Sequence, residues 1–224
     1  MRPFQISDAS KNIIDTYPPA EILGEFVPGM SQGEISNFVR LWVSEGIPYA
    51  FRNMPIIYES VRNWLGANLS IHPKFITMIG SARMGYSMKR NVFGRPLRSK
   101  SDLDLSIISE KYFNDLSKEF NQWKDDFSRG AISPMKPEEK NWLDNKERVP
   151  RNISQGFIDQ NRIPNRPQYP ITSKSSHLMY VLKGRLSETD GSPKFKRTSI
   201  RAYRNWQAFE NRVVFNFKYA MEKF

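Results

Sequence analysis

Two aspartates set one residue apart inside an otherwise apolar run constrain this chain more than any other feature. In SDLDLSIIS, residues 101–109, Asp102 and Asp104 alternate with Leu103 and Leu105, and Ile107 and Ile108 follow. Period-two alternation predicts a strand, because successive side chains on a strand leave on opposite faces. The leucines then belong to a core, and the two carboxylates project together, about 6 to 7 Å apart at Cα. Like charges so placed repel unless a cation accompanies them, and hard divalent cations take oxygen ligands. Upstream, FITMIG (75–80) is a short apolar run with β-branched residues, which predicts a second strand ending in the pair Gly80 and Ser81. A glycine at that bend lets backbone amides approach a phosphate, and Ser81 adds a hydroxyl donor.

Helical spacing organises most of the remaining chain. Ser31 with Glu34 three residues on is a capping box ahead of Ile35, Phe38, Val39, Trp42 and Val43, and Gly46 ends that helix. A second helix carries Ile56, Ile57, Val61, Trp64 and Leu65 and fades at Gly66; a third, over 111–127, carries Tyr112, Leu116, Phe120 and Trp123. Further helices are predicted over 173–186 and 207–223, a short strand at GFID (156–159), and a strand or extended segment over 195–206. Residues 1–30 show no sustained period and read as an arm laid over a domain that spans 31–224. Residues 128–152, charged and punctuated by proline, predict a long, partly mobile loop.

Charge and composition narrow the chemistry. Lys and Arg number 34 against 23 Asp and Glu, a formal net charge of +11 with a pI near 9.8, which favours a polyanionic partner. The absence of cysteine excludes disulfides, thiolate zinc sites and thiol nucleophiles, and His72 and His177 are too few for a zinc cluster. Catalysis would therefore rest on carboxylates, hydroxyls and cations. No apolar run approaches the roughly 18 to 20 residues of a membrane span, and the first residues lack the pattern of a signal peptide, so the expectation is a soluble, cytoplasmic protein with no membrane partner.

MIGSARMGYS followed by SDLDLSI resembles the signature of the nucleotidyltransferase superfamily of the DNA polymerase beta type, whose small bacterial members include toxin, antitoxin and phage-defence proteins. The resemblance covers residues 75–109. It implies an α+β fold with a mixed β-sheet core and flanking α-helices, use of a nucleoside triphosphate with Mg²⁺ or Mn²⁺, and ligation of the metal by Asp102 and Asp104; ATP is the expected donor for its abundance alone. A nucleoside monophosphate would pass to an acceptor hydroxyl. The third carboxylate of such sites has its best match in Asp159, as the group that accepts the acceptor's proton. The chain departs from the pattern in the long interval between Gly80 and Asp102.

Around that signature, Arg83 stands three residues past Gly80, where the turn would aim it at a triphosphate, and Ser87 and Lys89 would guide the nucleotide. Two basic concentrations suit nucleic acid: Arg90, Arg95, Arg98 and Lys100 in the long interval, and Lys196, Arg197, Arg201 and Arg204 interleaved with Phe195, Tyr203 and Trp206. The acceptor expected from this charge is RNA, tRNA ends included, or an acidic protein partner. The alternative is a non-catalytic protein of the same fold that holds nucleic acid or a partner in a defence or toxin complex.

Overall fold

The alternation in SDLDLSII is realised as the second strand of a four-stranded mixed sheet in the computed structural model, which describes residues 7–11, 13, 17–135 and 137–222. The strands are β1 (Ile76–Ile79), β2 (Asp102–Ile108), β3 (Phe157–Asp159) and β4 (Arg197–Tyr203), in the spatial order β1-β2-β4-β3. β1 runs antiparallel to β2, β4 parallel to β2, and β3 antiparallel to β4. The helices are α1 (Asp8–Lys11), α2 (Ala20–Phe26), α3 (Gln32–Phe38), α4 (Pro55–Leu69), α5 (Ser81–Met84), α6 (Glu110–Ser128), α7 (Trp142–Ser154), α8 (Pro170–Glu188) and α9 (Trp206–Met221). The architecture is thus α+β, and among the described residues no helix is long and apolar enough to cross a membrane.

Each face of the sheet meets a different core. Ile76 and Met78 of β1, Leu103, Leu105 and Ile107 of β2, Ile158 of β3, and Ile200 and Ala202 of β4 share one face and are buried with residues of α4, α6 and α8. Burying each large aliphatic side chain contributes about 1.5 to 3 kcal/mol, so β2 is held firmly by its leucines and isoleucine. The opposite face is apolar at one end only. There Ile108, Phe157 and Tyr203 join α2, α3 and α9 in a second core. At its other end the same face carries Asp102 and Asp104, which are only half-buried.

Local chemistry explains the helix ends. Ser31 accepts from the Glu34 amide while Glu34 accepts from the Ser31 amide, so the capping box closes and α3 starts where its sequence predicts. The helix loosens into a π-helical stretch, Val39–Ser44, whose end is tied by the Ser44 hydroxyl donating to the Arg40 carbonyl at 2.8 Å. At α8 the first-turn amides of Ile171 and Thr172 donate to the buried carboxylate of Glu119 on α6 at 2.6 and 2.8 Å, which stitches two helices of the larger core.

Two segments differ from the sequence reading. Residues 142–152, expected in a long loop, form most of α7, with Trp142, Asn145 and Val149 buried along one stripe. Burial of that stripe outweighs Pro150, which sits inside the helix and removes one backbone donor. Within the expected arm, α2 buries Ala20 and Leu23 and is followed by the buried Val27, all in the core that contains α3 and α9. Spacings of three and four residues bring these onto one face, which makes the segment integral to that core. The rest of the arm, residues 1–6, 12 and 14–16, lies outside the described residues.

Candidate functional site

The acid pair, the glycine bend and a ring of cations open onto one cleft of about 890 Å³ between the polar end of the sheet and α9. Its floor holds Gly80, Ser81, Asp102 and Asp104, and its rim holds Lys89, Arg90, Arg95 and Lys100 from the long interval. Arg201 of β4 and Arg212 of α9 close the far side. Six cations thus surround two carboxylates, an arrangement that attracts polyanions and focuses them onto the acids.

Gly80 ends β1 with φ +70° and ψ −148°, a backbone region essentially reserved for glycine. A β-carbon at this position would stand 3.4 Å from Asp104 Oδ2, so the bend brings bare backbone against the carboxylate. Sequence spacing and tertiary pairing agree here, because Ile79 lies opposite Asp104 in the β1–β2 register. Asp104 accepts a hydrogen bond from Ser199 Oγ on β4 at 2.7 Å through its Oδ1. Asp102 takes a forked contact from Arg197, with Nη2 at 2.6 Å and Nε at 3.1 Å, and this charged acceptor holds the Arg197 guanidinium above the ordinary arginine range.

Relative exposure decides which carboxylates are available. The Arg197 side chain is 73% exposed while that of Asp102 is 27% exposed, so the cationic end of this pair is open to solvent and screened, and an incoming cation can compete with it for Asp102. Asp159 is different. It pairs with Arg201 through Nε at 2.5 Å and Nη2 at 3.2 Å, with side chains only 18% and 25% exposed. Removing one partner of a buried pair costs about 3 to 5 kcal/mol, so Asp159 stays engaged. It also lies on β3, on the far side of β4 from the acid pair, and does not line the cleft. The strand beside β2 is β4, which turns Arg197, Ser199 and Arg201 toward this face and carries no carboxylate. The expected third acid is thus not brought to the other two, and Asp159 instead fixes the guanidinium of Arg201.

Arg83 also turns away from the cleft. It is 2% exposed, its Nε donates to the Trp42 carbonyl at 2.9 Å, and its Nη1 is buried without a hydrogen-bond partner. The short α5 points this side chain at the end of the π-helical stretch, where it braces that stretch against the glycine bend. Burial holds its pKa below the ordinary arginine value. Ser87 lines the cleft, and its hydroxyl accepts from the Lys89 amide within a folded loop that the Ser87 amide closes on the Arg95 carbonyl at 2.8 Å. The basic interval is therefore ordered by its own backbone, and it presents Lys89, Arg90, Arg95 and Lys100 while Arg98 stays off the cleft.

The second basic concentration divides by strand parity. Arg201 reaches the cleft and Arg197 reaches Asp102, but Lys196 is exposed ahead of the strand. Arg204 lies over the Phe113 ring and donates to the Ile153 carbonyl at the opposite end of β4. Tyr203 is fully buried and Trp206 is 44% exposed. Sequence reasoning missed Ser199 and the wall formed by α9, with Arg212, Asn216 and Tyr219. The spacing of Arg212 and Asn216 at i and i+4 was the available signal for one polar stripe.

As to a divalent cation, the donor set is two half-buried carboxylates with hard oxygens, and among the described residues no group of three His, Asp or Glu comes together. Two carboxylates fit Mg²⁺ that arrives with substrate phosphates, and do not make an all-protein cage. The comparisons add no relative to this geometry: no protein-family model, no curated protein and no solved structure matches the chain.

Proposed function

We propose that this protein binds a nucleoside triphosphate with Mg²⁺ or Mn²⁺ in the cleft and transfers a nucleoside monophosphate to an RNA or protein acceptor. The observation that carries the reading is the pairing of Asp102 and Asp104 on one face of β2, with Asp104 packed against the glycine bend at Gly80 and both acids inside a cation-rimmed cleft. Asp102 and Asp104 would hold the metal, which when bound neutralises phosphate charge and orients the transferred group. Ser81 donates to a phosphate oxygen, and Lys89, Arg95 and Lys100 draw the triphosphate in and offset its charge. Arg197 pairs with Asp102 and would give way to a cation there, because its own guanidinium is largely exposed.

A second reading is favoured by one observation. No carboxylate of β4 faces the acid pair, and Asp159 is held by Arg201, so among the described residues no third carboxylate joins the pair as a base for the acceptor hydroxyl. Such a protein would bind nucleotide and metal without transferring anything, and act through the partner it holds. Incubation with each α-labelled nucleoside triphosphate, Mg²⁺ or Mn²⁺ and total RNA or lysate separates the two. Label on RNA or protein that disappears in Asp102→Asn and Asp104→Asn supports transfer. A thermal shift with Mg·ATP that these variants abolish, without any label transferred, supports binding alone. The proposal fails if neither label nor thermal shift depends on the two acids.

A further inference from the structure

The cleft has a neighbour. A second cavity of about 760 Å³ lies between α7 and α9, bordered by Arg148, Arg151 and one acid, Glu147, on one side and by Asn211, Arg212 and Phe215 on the other, so its cations outnumber its carboxylate three to one. Arg212 borders both cavities, so this residue lies between the acid-lined cleft and this groove. It stacks over Phe157 at 4.7 Å and over Phe215 at 5.2 Å, and its Nε is buried with no hydrogen-bond partner. A buried donor without an acceptor is costly, and an anionic oxygen would satisfy it once the side chain turns toward the groove. Burial, and then the nearby Arg201 cation, hold Arg212 below the ordinary arginine range, so an anion at this wall relieves a strained charge.

The groove has the other parts of a strand-binding surface. Phe215 is 58% exposed on a helix whose other large apolar side chains include the buried Phe209 and Phe217. Arg151 is exposed and has no carboxylate partner among the described residues, and Arg148 is held only by the exposed Asp144 one turn away. Cations spaced along a groove with an open aromatic face suit a single strand, whose phosphates and unstacked bases are both accessible. A duplex keeps its bases stacked on each other and cannot use Phe215 in this way. We propose that the α7–α9 groove is the track of a single-stranded nucleic acid, with Arg148 and Arg151 on its phosphates, Phe215 under a base, and Arg212 passing the strand end into the cleft. This rests on the nucleotidyl-transfer reading for the chemistry at the inner end, and not for the binding itself.

The test is fluorescence anisotropy of an end-labelled single-stranded RNA of about a dozen nucleotides, read without nucleotide or metal at several salt concentrations. Arg148→Glu with Arg151→Glu should weaken binding at least about tenfold and reduce the salt slope by roughly 1.4, the expected value for two lost phosphate contacts on a single strand. Phe215→Ala should weaken it about fivefold or more. Lys174→Glu with Lys183→Glu, exposed on α8 and equal in charge change, should alter it less than about twofold. Equal loss in the α8 pair, duplex RNA binding as tightly as the single strand, an unaffected Phe215→Ala, or no binding at all would each overturn the assignment. All altered side chains are exposed, and unchanged far-ultraviolet circular dichroism checks that the variants fold. If RNA binding follows this pattern while Mg·ATP gives no thermal shift, the track stands and the transfer reading falls; the reverse result removes the track and leaves the cleft.

Discussion

Replacing Gly80 by alanine tests the bend on which the cleft depends. Two consequences follow from the geometry. The backbone at φ +70° and ψ −148° is closed to residues with a β-carbon, and holding one there costs about 1 to 3 kcal/mol. The added methyl would also stand 3.4 Å from Asp104 Oδ2, at the near limit of ordinary contact, so it crowds the carboxylate without a large further cost. A loss of about 2 kcal/mol corresponds to a fall of roughly 4 to 8 °C in Tm for a chain of this size. The matched control is Gly184→Ala, inside α8, where an added methyl meets nothing within 4 Å and the backbone is already helical. That change should stabilise by about 0.5 to 1 kcal/mol, so the two glycine-to-alanine variants should move in opposite directions. Differential scanning fluorimetry reads both, with and without Mg·ATP. Gly80→Ala should also lose most of any Mg·ATP-dependent shift, while Gly184→Ala keeps it. A Gly80→Ala protein that melts within about 1 °C of the parent would refute the claim that this backbone is locked in a glycine-only conformation.

Two further outcomes concern stability away from the cleft. Glu119→Ala removes the buried carboxylate that accepts from the Ile171 and Thr172 amides and strands those donors at the start of α8, so a loss of about 3 kcal/mol, or roughly 6 to 12 °C in Tm, is expected by thermal denaturation. An unchanged melt would show that α8 does not rely on α6 for its cap. The Glu34 carboxyl is held down from 4.5 to about 2, first by the Ser7 hydroxyl and then by the Ser31 amide and hydroxyl. A depressed carboxylate stabilises the fold above its unfolded pKa and loses that contribution as pH falls through the folded one. Glu34→Gln should therefore melt below the parent at pH 7, and the difference should narrow from about pH 4.5 and close near pH 2; a difference independent of pH would contradict it.

Much of this architecture was legible in the chain because its signals are local. The alternation in SDLDLSII, the apolar run into Gly80 and the Ser31–Glu34 capping box each depend on near neighbours, and each was realised where the pattern put it. The acid pair shares a face because strand geometry alone requires it. Local signals failed where burial decided the outcome. Trp142, Asn145 and Val149 lie on one stripe, but prolines and charges around them masked the period, and only packing of Trp142 against Trp123 of α6 rewarded the helix. The same is true of α2, whose Leu23 finds its place against α3 and α9.

The amino-acid sequence by itself determined a strand with two parallel carboxylates, a glycine bend before it, and an excess of positive charge. Tertiary structure decided which charges meet. Strand order places β4 between β2 and β3, so Arg201 captures Asp159, the acid expected to join the pair, while Arg197 and Ser199 engage the two cleft aspartates. It also sends Arg83 into the protein and brings Arg212, more than 100 residues away from Asp104, to the cleft wall. Side-chain parity along one strand is fixed by covalent geometry, whereas the partner of a charge is fixed by how distant strands and helices pack, and that packing is set by the summed burial of apolar faces.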